Sequence, residues 1–262
     1  VEQASGQCIF DSNWDLCIIL DGCRYNLMEK VSGEYGFLTV LEAVTSVGSH
    51  SREYYNNTFS TNEDLRDTII VTANPHSANH VPAESIKHVH EVWRYTECSH
   101  ATTPPRQVTD RSIDYARNES YSRLIVHYMQ PHVPFIGASR VGEDFTPAGD
   151  PQNNAWAKLQ RGELSREKVW KRYKATLRLV LDDVEVLLSN VDAERMLITS
   201  DHGNAMGERW LYDHPPYVRH PALRKVPWVF TSAKDKNTHT PQEYKQDKTD
   251  TLEDQLQALG YR

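Results

Sequence analysis

Cysteine is scarce in this chain. Four occur among 262 residues, Cys8, Cys17, Cys23 and Cys98. None has the C-x2-C spacing of a zinc ribbon or the density of a disulfide scaffold, so neither framework organises the fold. Cys17 lies in an apolar run and reads as a small core residue. Free thiols are the simplest reading, with a Cys8–Cys98 bridge left open. Long apolar runs are also missing: none approaches the roughly 18 to 20 residues that span a bilayer, so no membrane span is expected. Positive charge is not in excess either. Lys and Arg number 29 against 36 Asp and Glu, a formal net charge of −7, which argues against nucleic acid as the partner. No signal-peptide pattern opens the chain, and a cytoplasmic location is the expectation. The first residue is Val1 rather than Met, which leaves room for a trimmed leader. Internal repeats and low-complexity tracts are absent.

What is present is an alternation of short apolar runs with amphipathic stretches. Asp15–Leu20, behind Trp14, has the pattern of a central strand covered on both faces. Further strands are expected at Asp67–Ala73, Ser122–Met129, Met196–Ile198 and Val226–Thr231. Phe37–Val44 reads as another, and the alternating Ile86–Trp93 as an outer strand with His88 and His90 on its solvated side. Helices are expected from Asn26 to Lys30, through Tyr54, Tyr55 and Phe59, over Thr109–Tyr121, and over Thr251–Leu259. The strongest helix signal is Glu163–Asn190, where Val169, Tyr173, Leu177, Val180, Val184 and Leu187 recur at spacings of three and four. Gly, Pro, Asp and Asn dominate 137–162, the composition of a long surface loop. Residues 233–250 read as a loose polar segment. Together these describe one α/β domain over residues 1–262.

The chemistry gathers where strands end. Asp21-Gly22 follows the first strand. The apolar run Met196–Ile198 stops at Thr199-Ser200 and delivers Asp201 and His202 side by side. Asp and neutral His are common ligands of divalent metals, and open α/β sheets place their sites at the C-terminal edge. Alone, Asp-His-Gly reads equally as a capped turn. Gly48-Ser-His-Ser-Arg52 precedes a helix, where Ser49 and Ser51 are good N-cap residues and also stand at the positive end of the helix dipole. The strand ending at Met129 leads into Gln130-Pro-His-Val-Pro-Phe135, whose prolines hold His132 in an extended, rigid loop. His127, inside that strand, reads first as a core histidine and second as a substrate group. Tyr212-Asp-His-Pro supplies His214. Carboxylates and an imidazole around a divalent ion make a Lewis acid that can also activate a serine hydroxyl.

Asp at the first strand, a Ser nucleophile on the next helix, Ser200-Asp-His-Gly with Gly207-Glu208, and a later His214-Pro together resemble the alkaline phosphatase/sulfatase superfamily. Leu20-Asp-Gly-Cys-Arg-Tyr25, Gln130–Phe135, His220–Pro227 and the ending Leu252–Tyr261 are similar to archaeal sulfatase-like proteins. The resemblance runs from about Trp14 to Tyr261. It implies a three-layer alkaline-phosphatase-like α/β fold, with a mostly parallel central sheet and helices on both faces. It makes Asp21, Asp201 and His202 metal ligands, with His214 matching the ligand of a second ion. One divalent ion (Zn, Mn, Mg or Ca) is expected, and room exists for a second. Ser51 is favoured over Ser49 as nucleophile. His132 contacts the transferred group, with Gln130 and His127 beside it, and Arg24 and Arg52 are candidate anion clamps.

Two departures bear on activity. Gly22 stands where sulfatases usually double the Asp. Gly48–Arg52 lacks the proline of the sulfatase Cys-x-Pro-Ser-Arg motif, so the formylglycine modification is not expected. The expected activity is metal-dependent hydrolysis of a phosphate or sulfate ester on a small anionic or glycan substrate. Phosphotransfer to a glycan or lipid head group is one alternative, and a non-catalytic anion- or glycan-binding role is another. A mutase-like reading of Asp201-His-Gly-Asn204 ranks lower because the large inserted domain of those enzymes is absent.

Overall fold

Every residue of strand β1 (Leu16–Leu20) is buried. Successive side chains on a strand point to opposite faces, so an all-apolar strand requires cover on both. Leu16, Ile18 and Leu20 enter one apolar cluster, and Cys17 and Ile19 enter another. The computed structural model describes residues 6–60, 64–95, 102–136, 154–244 and Leu252. It places β1 at the centre of a seven-stranded sheet. The remaining strands are β2 (Glu42–Thr45), β3 (Thr68–Thr72), β4 (His88–Glu91), β5 (Arg123–Tyr128), β6 (Ala193–Thr199), β7 (Ala205–Glu208), β8 (Leu211–Asp213) and β9 (Lys225–Ala233). The sheet order is β2-β9-β6-β1-β5-β3-β4, and β7-β8 form a separate hairpin. Pairings β6-β1, β1-β5, β5-β3 and β3-β4 are parallel, whereas β9 runs antiparallel to both β6 and β2.

The larger cluster is covered by α1 (Tyr25–Glu29), α4 (Pro105–Asn118), α5 (Ala155–Gln160) and α6 (Arg166–Leu188), and the smaller by α2 (Ser51–Phe59). Helices α3 (Ser77–His80) and α7 (Pro221–Arg224) are single turns. Helix α6 starts where the Ser165 hydroxyl accepts from Lys168 N, and its 3.6-residue stripe Val169, Tyr173, Leu177, Val180, Val184, Leu187 is buried throughout. The predicted α/β fold with helices on both faces of a mostly parallel sheet is thus the observed one.

Several local expectations differ. Of Phe37–Val44 only the end is strand, pairing antiparallel with β9 (Ala43 opposite Pro227); Phe37 and Leu41 instead pack half-buried against the larger cluster. His90 is not solvated: its ring stacks on Tyr95 at 5.1 Å and meets Tyr115 edge-on at 5.5 Å. The expected loop 137–162 ends in α5, capped by Asn154, with Trp156 buried against Phe135 and Tyr173. An apolar ring of that size overrides the polar local composition; residues 137–153 lie outside the described residues. Cys17 and Cys23 carry buried free thiols, and Cys98 lies outside the described residues. Among the described residues no helix is long and apolar enough to cross a membrane.

The segment expected to be loose from 233 is strapped down as far as Tyr244. Arg117 holds Asp235 at 2.9 Å, and the fully buried Asp110 accepts from Tyr244 Oη at 2.7 Å and bonds His239 Nε2 at 2.5 Å. Asp235, His239 and Tyr244 thus find partners on α4. Residues 245–250 and the expected helix 251–259, Leu252 apart, lie outside the described residues. Tyr244→Phe removes one of the two hydrogen bonds to a buried carboxylate and should lower unfolding free energy by about 1 to 2 kcal/mol. Trypsin should then cut faster at Lys234 and Lys236. Unchanged melting and unchanged cleavage would show that the strap is not held this way.

Candidate active site

The β1–β6 register pairs Ile19 with Thr199. Two residues further on, both strands have ended and present Asp21 and Asp201 side by side, each fully buried. Gly22 makes the turn at φ +68°, and a Cβ there would meet Asn204 Nδ2 at 2.5 Å, so only glycine fits. The turn aims Gly22 N at Asp201 Oδ1 (3.0 Å), which also receives His202 N (2.8 Å). From the end of β3, Asn74 Nδ2 donates to Asp21 Oδ2 at 2.6 Å.

Helix α2 arrives over this edge because Gly48 lets the chain pass close to it; a Cβ on Gly48 would lie 2.5 Å from Tyr54 N. The N-cap is His50, whose Nδ1 accepts from Arg52 N at 3.1 Å, and not a serine as the sequence suggests. Ser51 is therefore the first helical residue and turns its hydroxyl inward. Its Oγ lies 2.8 Å from Asp201 Oδ2, 3.3 Å from Asp21 Oδ2 and 3.2 Å from His202 Nε2. Ser49 is placed elsewhere: its hydroxyl contacts Glu53 Oε2 and the Pro215 carbonyl and accepts from Val218 N, tying the 215–218 loop to α2.

Backbone oxygens set the histidine tautomers. Carbonyls only accept, so His202 Nδ1 donates to Gly203 O (2.9 Å) and His132 Nδ1 to Val133 O (2.5 Å). His214 Nδ1 likewise faces Asn204 Oδ1 at 2.9 Å, the Asn204 amide nitrogen being spent on Gly22 O and Tyr173 Oη. In each neutral ring Nε2 is then the lone-pair atom, the arrangement that orients metal-binding imidazoles. His202 Nε2 lies 3.4 Å from Asp201 Oδ2 and 3.7 Å from Asp21 Oδ1. His127, held at Nδ1 by Tyr55 Oη (2.7 Å), brings its Nε2 to 3.7 Å from Asp21 Oδ2 and 3.9 Å from Asp201 Oδ2.

Burial, then the neighbouring Asp201 charge, raises the Asp21 carboxyl well above its ordinary range. Burial also holds His202 and His127 down to about 4, keeping them neutral. Two carboxylates and lone-pair nitrogens converging in a dry pocket lack a cation. Donor atoms of Asp21, His127 and Asp201 all lie within 4.8 Å of one another, and Asp21 Oδ1 and His127 Nε2 have no hydrogen-bond partner. This buried group fits a divalent metal by its donor set.

The other expected residues divide. His214 and His132 form an imidazole wall beside the carboxylates, with the His214 ring 4.6 Å from His202 and 4.9 Å from His132. The segment carrying His132 turns back on itself, His132 N donating to Met129 O at 3.0 Å, rather than running extended; both Gln130-Pro131 and Val133-Pro134 are cis. Gln130 points away and holds Thr103 O at 3.0 Å. Arg24 is spent on Glu208 (2.9 Å) and the Asn204 carbonyl (3.1 Å), which braces the β7-β8 hairpin. Arg52 is half-buried at the second position of α2. Sequence reasoning passed over Asn74, His50, His76 and Asn204, and ranked His127 as core first. The one available signal was Asn74-Pro-His76 following a buried strand, the same strand-end pattern that singled out Asp21 and Asp201.

No protein-family profile matches the chain, and no curated protein does. Solved structures do match in fold. The soluble domain of lipooligosaccharide phosphoethanolamine transferase A from Neisseria meningitidis superposes with a TM-score of 0.57 at 15% identity, covering 86% of this chain and 77% of that one. This chain spans 49% of that enzyme's integral membrane form. The C-terminal periplasmic domain of EcEptC from Escherichia coli, in complex with zinc, gives 0.52 at 13% identity over 94% of this chain and 80% of that one. A 2-O GAG sulfatase gives 0.52 at 12% identity over 83% of this chain and 63% of its own. These are folds of the alkaline phosphatase/sulfatase superfamily.

Metal addition tests the donor set. Zinc at a hundred times its dissociation constant should stabilise the chain by about 2.7 kcal/mol. Asp201→Ala should abolish binding in a calorimetric titration, and His127→Gln should weaken it roughly 10- to 100-fold. If Asp201→Ala bound zinc as the wild type does, the carboxylate pair would not be the metal site.

Proposed function

We propose that the chain is a metal-dependent enzyme that cleaves a phosphate or sulfate ester with Ser51 as nucleophile, and that phosphate is the better fit. The observation that carries this reading is the Ser51 hydroxyl, 2.8 Å from Asp201 and 3.3 Å from Asp21, at the buried first position of α2. A plain cap serine would face solvent. The pairing of phosphoethanolamine transferases and a sulfatase among the fold's neighbours supports ester chemistry at this edge. Phosphate is preferred because Gly48–Arg52 keeps an ordinary serine without the proline of the sulfatase motif. Our reading of Leu20–Tyr25, Gln130–Phe135 and His220–Pro227 as archaeal-like is part of the same proposal.

Asp21, Asp201, His202 and His127 would hold the ion. Two carboxylates with imidazoles suit zinc or manganese better than the all-oxygen sites of calcium and magnesium. When bound, a divalent ion supplies Lewis acidity and lowers the pKa of a nearby hydroxyl. Ser51 Oγ forms the new bond to phosphorus as the ester oxygen departs in line, and the serine proton passes toward Asp201 Oδ2. The departing oxygen takes a proton from solvent or from a protonated histidine of the His132–His214 wall. Those two Nε2 atoms face an equatorial oxygen favourably only once protonated or bound to a second ion. The seryl ester is then released by water, giving hydrolysis. An acceptor hydroxyl in water's place gives transfer, a second reading that the phosphoethanolamine transferase neighbour favours.

Single-turnover assays with an aryl phosphate, a phosphodiester and an aryl sulfate, each with Zn, Mn, Mg or Ca, test this. Ser51→Ala should cut the rate at least about a thousandfold. Ser49→Ala should stay within a few-fold and lose stability instead, because it anchors the 215–218 loop. An active Ser51→Ala enzyme would overturn the assignment. A protein silent in every combination would favour a non-catalytic anion binder.

A further inference from the structure

The outer face of α2 and the turn of α3 border a cleft of about 540 Å³ that the proposed chemistry leaves unused. Asn56, Phe59 and Ser60 line it from α2, and Asn79, His80 and then Glu84 line it from the other wall. Both walls lead away from the active site in the same chain direction. On α2 the order is Ser51, Arg52, Asn56, Ser60, a rise of roughly 13 Å at 1.5 Å per residue. On the other wall it is Asn74, which touches Asp21, then His76, His80 and Glu84. The walls are clipped together at the inner end by His80 Nδ1 and Asn56 Oδ1, 2.9 Å apart.

Charge along this cleft is graded. Glu84 marks its outer end. Arg52 stands one turn from Asn56 on the same helical face, between the cleft and Ser51. After burial, its charge helps to hold His50, His76 and His80 below the usual imidazole range. Arg24 and Arg117 each hold a carboxylate. Arg52 has no ion-pair partner among the described residues, whereas its neighbour Glu53 is occupied by Ser49 and Tyr217. A half-buried guanidinium without a counterion, beside a cleft of amides and hydroxyls, suits an anion attached to a hydroxylated body.

Resting on the reading above, we propose that the α2–α3 cleft receives the alcohol portion of the ester, and that Arg52, one turn before Asn56 on α2, binds a second anionic group carried by that portion. The preferred substrate is thus a polyhydroxylated ester bearing two anions, one transferred at Ser51 and one held in the cleft. Asn56, Asn79 and Ser60 meet its hydroxyls, and Phe59 offers an apolar surface to its carbon face.

Calorimetric binding to zinc-loaded Ser51→Ala protein tests this without turnover. The probes are glucose 1-phosphate, glucose 1,6-bisphosphate and glucuronic acid 1-phosphate, which separate a second phosphate from a carboxylate. The bisphosphate should bind at least about tenfold tighter than glucose 1-phosphate, and Arg52→Gln or Arg52→Ala should bring that ratio toward one. The ratio within each variant reads the site even if a variant loses some stability, which its melting curve reports. Equal binding of all three probes, or a ratio that survives both variants, overturns the proposal. The two readings fail separately. Turnover without preference for the second anion removes this cleft and keeps the chemistry, whereas preference in binding with no turnover in the wild type keeps the cleft and removes the chemistry.

Discussion

Two fully buried carboxylates facing each other are the constraint around which this molecule is built. Asp21 and Asp201 leave adjacent parallel strands at the same level, and among the described residues neither has an arginine or lysine within ion-pair reach. Such a pair in a dry environment costs several kcal/mol unless donors and a counter-charge meet it. The chain supplies the donors from everywhere around it: Gly22 N from the turn, His202 N from the next residue, Asn74 from β3, Ser51 from α2. What the protein's own atoms do not supply is positive charge, since burial keeps His127 and His202 neutral.

The imidazoles around the pair have a common orientation. Gly203 O, Val133 O and Asn204 Oδ1 each take an Nδ1 proton, so His202, His132 and His214 present lone pairs inward. Asn204 is the pivot of this arrangement. Its amide holds Gly22 O and Tyr173 Oη, joining the turn after β1 to helix α6, while its oxygen fixes His214. Arg24 reinforces the same region through Glu208 and the Asn204 carbonyl. An arginine beside an anionic site suggests a clamp on substrate, but here its guanidinium is consumed in supporting the hairpin that leads to His214.

The fold is shared with a phosphoethanolamine transferase, the periplasmic domain of EcEptC and a sulfatase at identities of 12 to 15%. A shared fold fixes where a site lies without fixing its reaction. The distinguishing chemistry lies at Gly48–Arg52. There, a histidine rather than a serine caps the helix, one serine is spent on the backbone of a neighbouring loop, and the other meets the carboxylates. The residue beyond it, Arg52, stands about 100° round the same helix, one turn before Asn56 of the cleft. On the proposals above, one turn of α2 serves both the reacting centre and the cleft beside it.

The sequence by itself determined the strand-end positions and the alternation that builds the sheet. Leu16–Leu20 had to be buried on both faces, the α6 stripe had to face the core, and Asp21 and Asp201-His202 had to emerge where apolar runs stop. These are local consequences of periodicity and of polar residues ending a buried strand. The sequence also legibly marked Ser49 and Ser51, but only as a pair of cap candidates, since a cap signal is the same at either position. Tertiary structure made neither the cap and separated them, Ser51 meeting the carboxylates and Ser49 the 215–218 loop, through the close passage of Gly48 past Tyr54 and the capping by His50. It also moved His127 from the core into the carboxylate group, because β5 lies directly beside β1 in the sheet, a neighbour relation no local pattern carries. The same holds for the polar segment after Ala233. Composition describes how a segment would fare in water, and only packing brings Asp110, His239 and Tyr244 together.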